Sequence, residues 1–249
     1  MCRHLGYLGP NRSVREVIAA GEFSLLRQSW SPRDMRGGGT INADGYGAAW
    51  WGSTLSRYRC AMPIWSDPAL PEMLSTVRSH AVMAAVRSAT VGMPVERSAC
   101  APFVSGHWAF SHNGRIEQWP DSMTGLRRAA GLGTAETRGA HRSVFLWALV
   151  RHALRDNSPE VALMQVKSAV AEAAPGSRLN MLLGDGRQLW ATTWDHSLSA
   201  LVDDDRAVLS SEPFDHNHLW REIPDGHIVT ARPGQPDRHA PVNTPVSAL

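Results

Sequence analysis

The sequence predicts an α+β layered domain. Strand-like apolar runs occupy both ends of the chain, and two adjacent segments between them have helical apolar spacing. No repeat, linker or low-complexity stretch divides the 249 residues. A chain of this length can bury a large core, and residues 1–249 read as one domain with 233–249 as a loose tail.

In chain order, residues 2–9 (CRHLGYLG) read as a strand. Ser13-Val-Arg-Glu16 fits a capping box, in which Ser and Glu side chains each accept the other residue's backbone N–H; a short helix follows to about residue 20. Residues 21–41 read as loop, and Arg36-Gly-Gly-Gly39 lacks the Gly-Lys-Ser/Thr of a phosphate-binding loop. Asn42-Ala-Asp-Gly-Tyr-Gly47 is a glycine-rich turn into the apolar Ala48-Ala-Trp-Trp51. A helix is expected over 68–80 and a buried strand over 81–90. Another strand, over 107–111, is expected to stop at the turn signal in His112-Asn-Gly114. Residues 115–140 are irregular and polar. Val144, Leu146, Trp147, Val150 and Leu154 then mark a helix over 142–155, and Ser158-Pro159 opens a second one to about residue 174. Two hairpins follow, 179–183 with 189–194 and 198–202 with 207–211, before a last strand at 227–231.

Hydrophobic residues are 43% and charged residues 19%, an ordinary globular composition, and the net charge of +2 demands neither nucleic acid nor an anionic membrane. No apolar run reaches the length of a membrane span, and the N-terminus lacks a signal-peptide core. Cys2, Cys60 and Cys100 form no disulfide framework, which suits a reducing cytoplasm. The cysteines and the eleven histidines show no paired ligand spacing, so neither metal nor cofactor is expected.

Cys2 directly follows the initiator methionine. With Met1 removed, it holds a thiol and a free α-amine, whose ordinary pKa of about 7.7–8.0 suits it to take the thiol proton. Thiolate attack on an amide creates an oxyanion, and the Asn113 side chain with the Gly114 N–H could receive it. Arg87 could clamp a carboxylate, with the Thr90 hydroxyl as a second donor. Each residue also has a structural reading: a chance cysteine, a hairpin turn, an internal salt bridge.

Taken together, Cys2-Arg3-His4, Asn42-Ala-Asp-Gly45, Val86-Arg-Ser-Ala-Thr90, Ser111-His-Asn-Gly114 and Ser211-Glu-Pro213 resemble the class II glutamine amidotransferase domains of the N-terminal-nucleophile hydrolase superfamily. MCRHLGYLGP, AAVRSATVGMP (84–94), APFVSGHWAFSHNG (101–114) and ATTW (191–194) are similar to its ergothioneine-pathway branch, the γ-glutamyl-hercynylcysteine sulfoxide hydrolases. The resemblance implies a four-layer αββα sandwich. It implies Cys2 as nucleophile, Asn113 and Gly114 as the oxyanion hole, and Arg87, Thr90 and His112 as substrate-binding residues. A thioester intermediate, a small-molecule substrate, no cofactor, a cytoplasmic location and room for a homodimer also follow from it. Trp30, Trp65 and Trp108 become candidates for a wall facing a trimethylammonium or imidazole group.

One position departs from the family. Where its members carry an Asp that binds the α-ammonium of the glutamyl group, this chain has Arg142 in Gly139-Ala-His-Arg-Ser-Val144. A cation there repels an ammonium in a partly dry site. Glu136 could replace the Asp, Arg142 could point away, or Arg142 could bind an anion of a changed substrate that is hydrolysed or joined at a different amide. A non-catalytic binding protein that keeps Met1 is the remaining alternative. Glu212 reads as structural before it reads as a ligand contact.

Overall fold

A computed structural model describes residues 2–36, 38, 41–90, 93–133 and 141–242. Two antiparallel sheets lie face to face between helices. The strands are β1 (Arg3–Ser13), β2 (Tyr46–Trp51), β3 (Leu55–Cys60), β4 (Arg78–Val86), β5 (Phe103–Ser105), β6 (Trp108–Arg115), β7 (Arg178–Gly184), β8 (Leu189–Thr192), β9 (Ser199–Val202), β10 (Ala207–Ser210), β11 (Arg221–Glu222), β12 (His227–Arg232) and β13 (Gln235–Pro241). One sheet runs β11-β9-β10-β1-β4-β2-β3 and the other β13-β12-β8-β7-β6-β5. The helices are α1 (Val14–Ala19), α2 (Leu25–Gln28), α3 (Met73–Thr76), α4 (Thr124–Ala129), α5 (Arg142–Ala153) and α6 (Pro159–Ala173).

Three apolar layers hold these elements in the order helix, sheet, sheet, helix. On β4 the alternation is explicit. Ala81 and Met83 face the second sheet, while Val82, Ala84 and Val86 face α1–α3. On β7, Leu182 enters the layer between the sheets, and Leu179, Met181 and Leu183 face α5 and α6. Ala81–Val86 of β4 and Met181–Leu183 of β7 are buried on both sides and therefore read as continuous apolar runs. This is the four-layer αββα sandwich that the resemblance implies. Among the described residues no helix is long and apolar enough to cross a membrane.

The capping box forms: the Glu16 N–H donates to Ser13 Oγ, and the Ser13 N–H to Glu16 Oε2 at 2.7 Å. Ser158 likewise caps α6, with Pro159 in its first turn. Five expectations need correction. Residues 115–140, expected to be irregular, contain α4 at Thr124–Ala129. Residues 68–80 are not one helix; Pro68 and Pro71 interrupt it, and Arg78 and Ser79 pair with Ser13 and Arg12 of β1. The expected loop over 21–41 contains α2, capped by Ser24. His112-Asn113-Gly114 is not a turn, because β6 continues to Arg115 along β7; cross-strand pairing overrides the local Asn-Gly signal, and the hairpin bends at Gly106 instead. The tail is not loose at 235–241, where β13 pairs with β12. Its polar composition and its prolines suit an edge strand, which needs no apolar face. Residues 243–249 of the expected tail lie outside the described residues.

Leu182→Ala, in the layer between the sheets, is expected to lower unfolding free energy by about 2–5 kcal/mol, and Arg238→Ala on exposed β13 by less than about 0.5 kcal/mol. Urea unfolding followed by tryptophan fluorescence measures both, and equal effects would contradict the layer assignment.

Candidate active site

Cys2, Ser88, Ala89, Thr90, Gly114, Arg115, Arg178 and His196 line one cavity of about 170 Å³, with Gly38 at its edge. Cys2 leads into β1, the strand held between β4 and β10. Its sulfur lies 3.8 Å from the Ser88 carbonyl. Arg3 and His4 anchor it from behind. Arg3 is 1% exposed, pairs with Glu212 at 3.1 Å and donates to the Asp34 carbonyl. The His4 N–H donates to Ser211 Oγ at 3.0 Å, and the Ser211 N–H returns a bond to the His4 carbonyl. Ser211-Glu-Pro213 thus braces the strand that carries Cys2.

A second wall comes from the end of β4. The Asn42-Ala-Asp-Gly45 turn docks on it: the Asp44 N–H donates to the Arg87 carbonyl at 3.0 Å, the Arg87 N–H to the Gly45 carbonyl at 2.8 Å, and the Ala89 N–H to Asp44 Oδ2 at 2.6 Å. These bonds fix the 88–90 segment in the cavity wall. Gly45 permits the turn with φ +112.

The third wall is β6. Asn113 is fully buried, and neither atom of its amide has a hydrogen-bond partner among the described residues. An amide left so in an interior points to a ligand or a reacting group. Gly114 lines the cavity itself; any side chain there would collide with the Arg178 carbonyl. Its partner across β7 is Leu179, whose N–H goes to the Trp194 carbonyl on the far side. By antiparallel alternation the Gly114 N–H is therefore directed away from β7, on the edge that β5 leaves open beyond the Phe103–Phe110 pair.

The structure thus brings Cys2, Thr90 and Gly114 into one cavity with Asn113 beside Gly114 on β6. The other candidates sit differently. The Arg87 guanidinium donates to the Asp44 and Pro94 carbonyls, at 3.2 and 3.0 Å, and does not line the cavity. His112 also stays out of it: Nε2 meets the Arg178 carbonyl at 2.9 Å and Nδ1 the Ser143 hydroxyl at 3.1 Å. Arg142 opens α5 and reaches the rim, donating to Thr90 Oγ1 at 2.8 Å. It sits in the first turn of a helix, where a cation opposes the macrodipole by about 0.3–1 kcal/mol. Glu136 lies outside the described residues, as does Met1. Trp30 and Trp65 pair edge-to-face on the surface, and Trp108 packs on Trp190; none lines the cavity. Cys60 and Cys100 are free thiols, and burial pushes Cys100 up to about 11, which keeps it an inert thiol.

Arg115, Arg178 and His196 line the cavity without a sequence motif to announce them. Arg178 pairs with Asp195 at 2.7 Å and Arg115 with Glu117. Their positions come from the pairing of β6 with β7 and from the turn after β8, and the only nearby hint is the ATTW stretch that precedes Asp195-His196. A larger cavity of about 530 Å³ between β13 and α6 contains no cysteine and none of these groups.

Three buried histidines surround the Cys2 end. Burial and neighbouring positive charge push His4 and His196 down to about 3, and burial takes His112 to about 4. All three are neutral in the folded chain, so the cavity's charge is set by its arginines.

A profile of the class-II glutamine amidotransferases matches residues 20–203. The chain is 38% identical over 234 residues to the γ-glutamyl-hercynylcysteine sulfoxide hydrolase of Mycolicibacterium smegmatis, covering 93% of this chain and 96% of that protein. The hydrolase of the same name from Mycobacterium tuberculosis strain CDC 1551 is 38% identical over 230 residues, 92% of each chain. The fold is similar to that of a glutamine aminotransferase class-II domain protein from Silicibacter pomeroyi, with TM-score 0.67 at 20% identity over 98% of this chain and 100% of the other. It is also similar to the glutamine phosphoribosylpyrophosphate amidotransferase of B. subtilis, with TM-score 0.62 at 14% identity over 98% of this chain and 50% of that one.

Each buried histidine has a folded pKa below its free value of about 6.5, so below that pH the unfolded chain binds protons that the folded chain refuses. Stability is expected to be full above pH 6.5 and to fall towards pH 4 by roughly 1.4 kcal/mol per pH unit per histidine. Urea titrations at pH 7.5 and 5 measure the slope. A His112→Asn variant should flatten it, and an unchanged slope would contradict the neutral, buried state of His112.

Proposed function

The chain belongs to the class II glutamine amidotransferase family, and we propose that it hydrolyses the γ-glutamyl amide of γ-glutamyl-hercynylcysteine sulfoxide through a Cys2 thioester. The observation that carries this reading is the cavity in which the thiol of Cys2 meets Gly114, beside the unpartnered buried amide of Asn113. The two hydrolases at 38% identity, matched over nearly their full length, support the substrate and favour it over a changed one.

The steps follow from the groups present. With Met1 removed, the Cys2 α-amine takes the thiol proton. The thiolate attacks the γ-carbonyl carbon, and the oxyanion accepts from Asn113 Nδ2 and the Gly114 N–H. The C–N bond breaks, the leaving nitrogen takes the proton from the α-ammonium, and glutamyl remains as a thioester. Water then adds through a second oxyanion and releases glutamate, returning the thiol. The neighbouring arginines favour both the thiolate and the oxyanion.

The substrate carboxylate falls to the Thr90 segment and to Arg142, which the Thr90 hydroxyl holds at the rim, while Arg87 shapes this wall through the Asp44 and Pro94 carbonyls. His112 supports the opposite wall indirectly, holding the Arg178 carbonyl from within. Among the described residues no carboxylate lines the cavity; Asp195 and Glu117 stand behind it, on Arg178 and Arg115. This end of the site is where the chain differs from the family pattern.

Two measurements test the reading. Intact mass is expected to show loss of one methionine, and incubation with a γ-glutamyl thioether sulfoxide is expected to release glutamate; a quantitatively retained Met1 would sink it. Cys2→Ala should abolish release, and Asn113→Ala should lower kcat by about 10²–10³-fold, as loss of an oxyanion donor does.

A further inference from the structure

Between β8 and β9 the chain makes a turn more elaborate than a connection needs. Asp195 has φ +72, in the left-handed region that few residues with a side chain adopt and Asp tolerates better than most. The turn is held from several sides. The Trp194 N–H donates to Asn180 Oδ1 at 2.7 Å, and Asn180 Nδ2 donates to the carbonyls of His196 and Ser197 at 2.9 and 3.3 Å. The Asp195 N–H donates to Asp225 Oδ1 at 2.7 Å, and its carboxylate pairs with Arg178 at 2.7 Å. A turn tied from so many sides fixes the residues that follow it.

What the turn delivers is His196. It is 2% exposed and lines the same cavity as Cys2. Its Nδ1 is buried without a hydrogen-bond partner among the described residues. A buried imidazole left so is disfavoured in a merely structural role. The charged and titratable groups around it include Arg178 from β7, Arg3 from β1 and His112 from β6. Burial and these neighbours keep the ring neutral, with one acceptor nitrogen, at any pH where an amine acts as a base. The chemistry needs this kind of neighbour. A carboxylate would hold the amine protonated, and a cation would repel the ammonium once formed; a neutral acceptor does neither.

We propose that His196 is a positioning residue for the α-amine of Cys2: its ring accepts one amine N–H and so turns the amine lone pair towards the thiol. The proton moves from sulfur to the amine nitrogen, S–H breaking as N–H forms, and His196 itself neither gains nor loses one. The proposal rests on the reading of Cys2 as an N-terminal nucleophile.

The test measures glutamate release from a γ-glutamyl thioether sulfoxide by the full chain and three His196 variants. His196→Ala and His196→Phe, which lack an acceptor, are expected to lose on the order of 10- to 100-fold in kcat with KM within about threefold. His196→Gln, whose amide oxygen accepts, should recover most of that loss. Alkylation of Cys2 by iodoacetamide at pH 7 should slow in the first two variants and recover in the third. The proposal is overturned if His196→Ala or His196→Phe keeps kcat within about twofold of the parent, or if His196→Gln is as impaired as they are. A Cys2→Ala control separates the two ideas. Activity retained by Cys2→Ala removes the nucleophile reading and this inference with it. An inactive Cys2→Ala beside an unimpaired His196→Ala removes the inference alone.

Discussion

A residue beside the chain terminus keeps a fixed place only if it is anchored, because chain ends ordinarily fray. Here the burial of Arg3 meets that requirement. Its guanidinium lies inside the protein on Glu212, whose second oxygen takes the Arg33 N–H at 2.8 Å, and Ser211 binds the next residue by backbone and side chain. Burying an ion pair is weak as a source of stability, because desolvation offsets the attraction; what it can set is register. With β1 in register between β4 and β10, Cys2 has a fixed place, and the other two walls of the cavity are built against it.

Those walls divide the labour by charge. The histidines nearest the thiol are neutral by burial, and the positive potential comes from arginines that cannot lose their protons. The field that favours a thiolate or an oxyanion therefore hardly varies across the pH range in which the amine titrates. Arg142 adds to it from the first turn of α5, and Thr90 is the group that keeps it at the rim.

Much of this was legible in the sequence, and the illegible parts have a common cause. Cys2, the Asn42–Gly45 turn, the Ser13–Glu16 box and helices α5 and α6 were readable because each rests on neighbouring residues or on a regular period. Asn113-Gly114 was not readable as structure: its local signal is a turn, and only pairing with β7 makes it a strand. β13 was missed because edge strands need no apolar alternation. Arg178 and His196 carry no local signal. Their place depends on Asn180, a buried side chain on β7 that binds both sides of the Asp195 turn, and no spacing rule reveals such a bond in advance. Arg87 was expected to clamp a carboxylate, but its guanidinium serves the backbone that shapes the wall.

The position of β1 has a consequence for biosynthesis. Leu5 pairs with Ser210, so the first strand made cannot gain its second neighbour until most of the chain has been translated. At about 5–20 residues per second, that interval lasts roughly 10–40 seconds. During it β1 has β4 beside it but neither β10 nor the Glu212 that receives Arg3. The register of the first strand is thus completed by residues made late in translation.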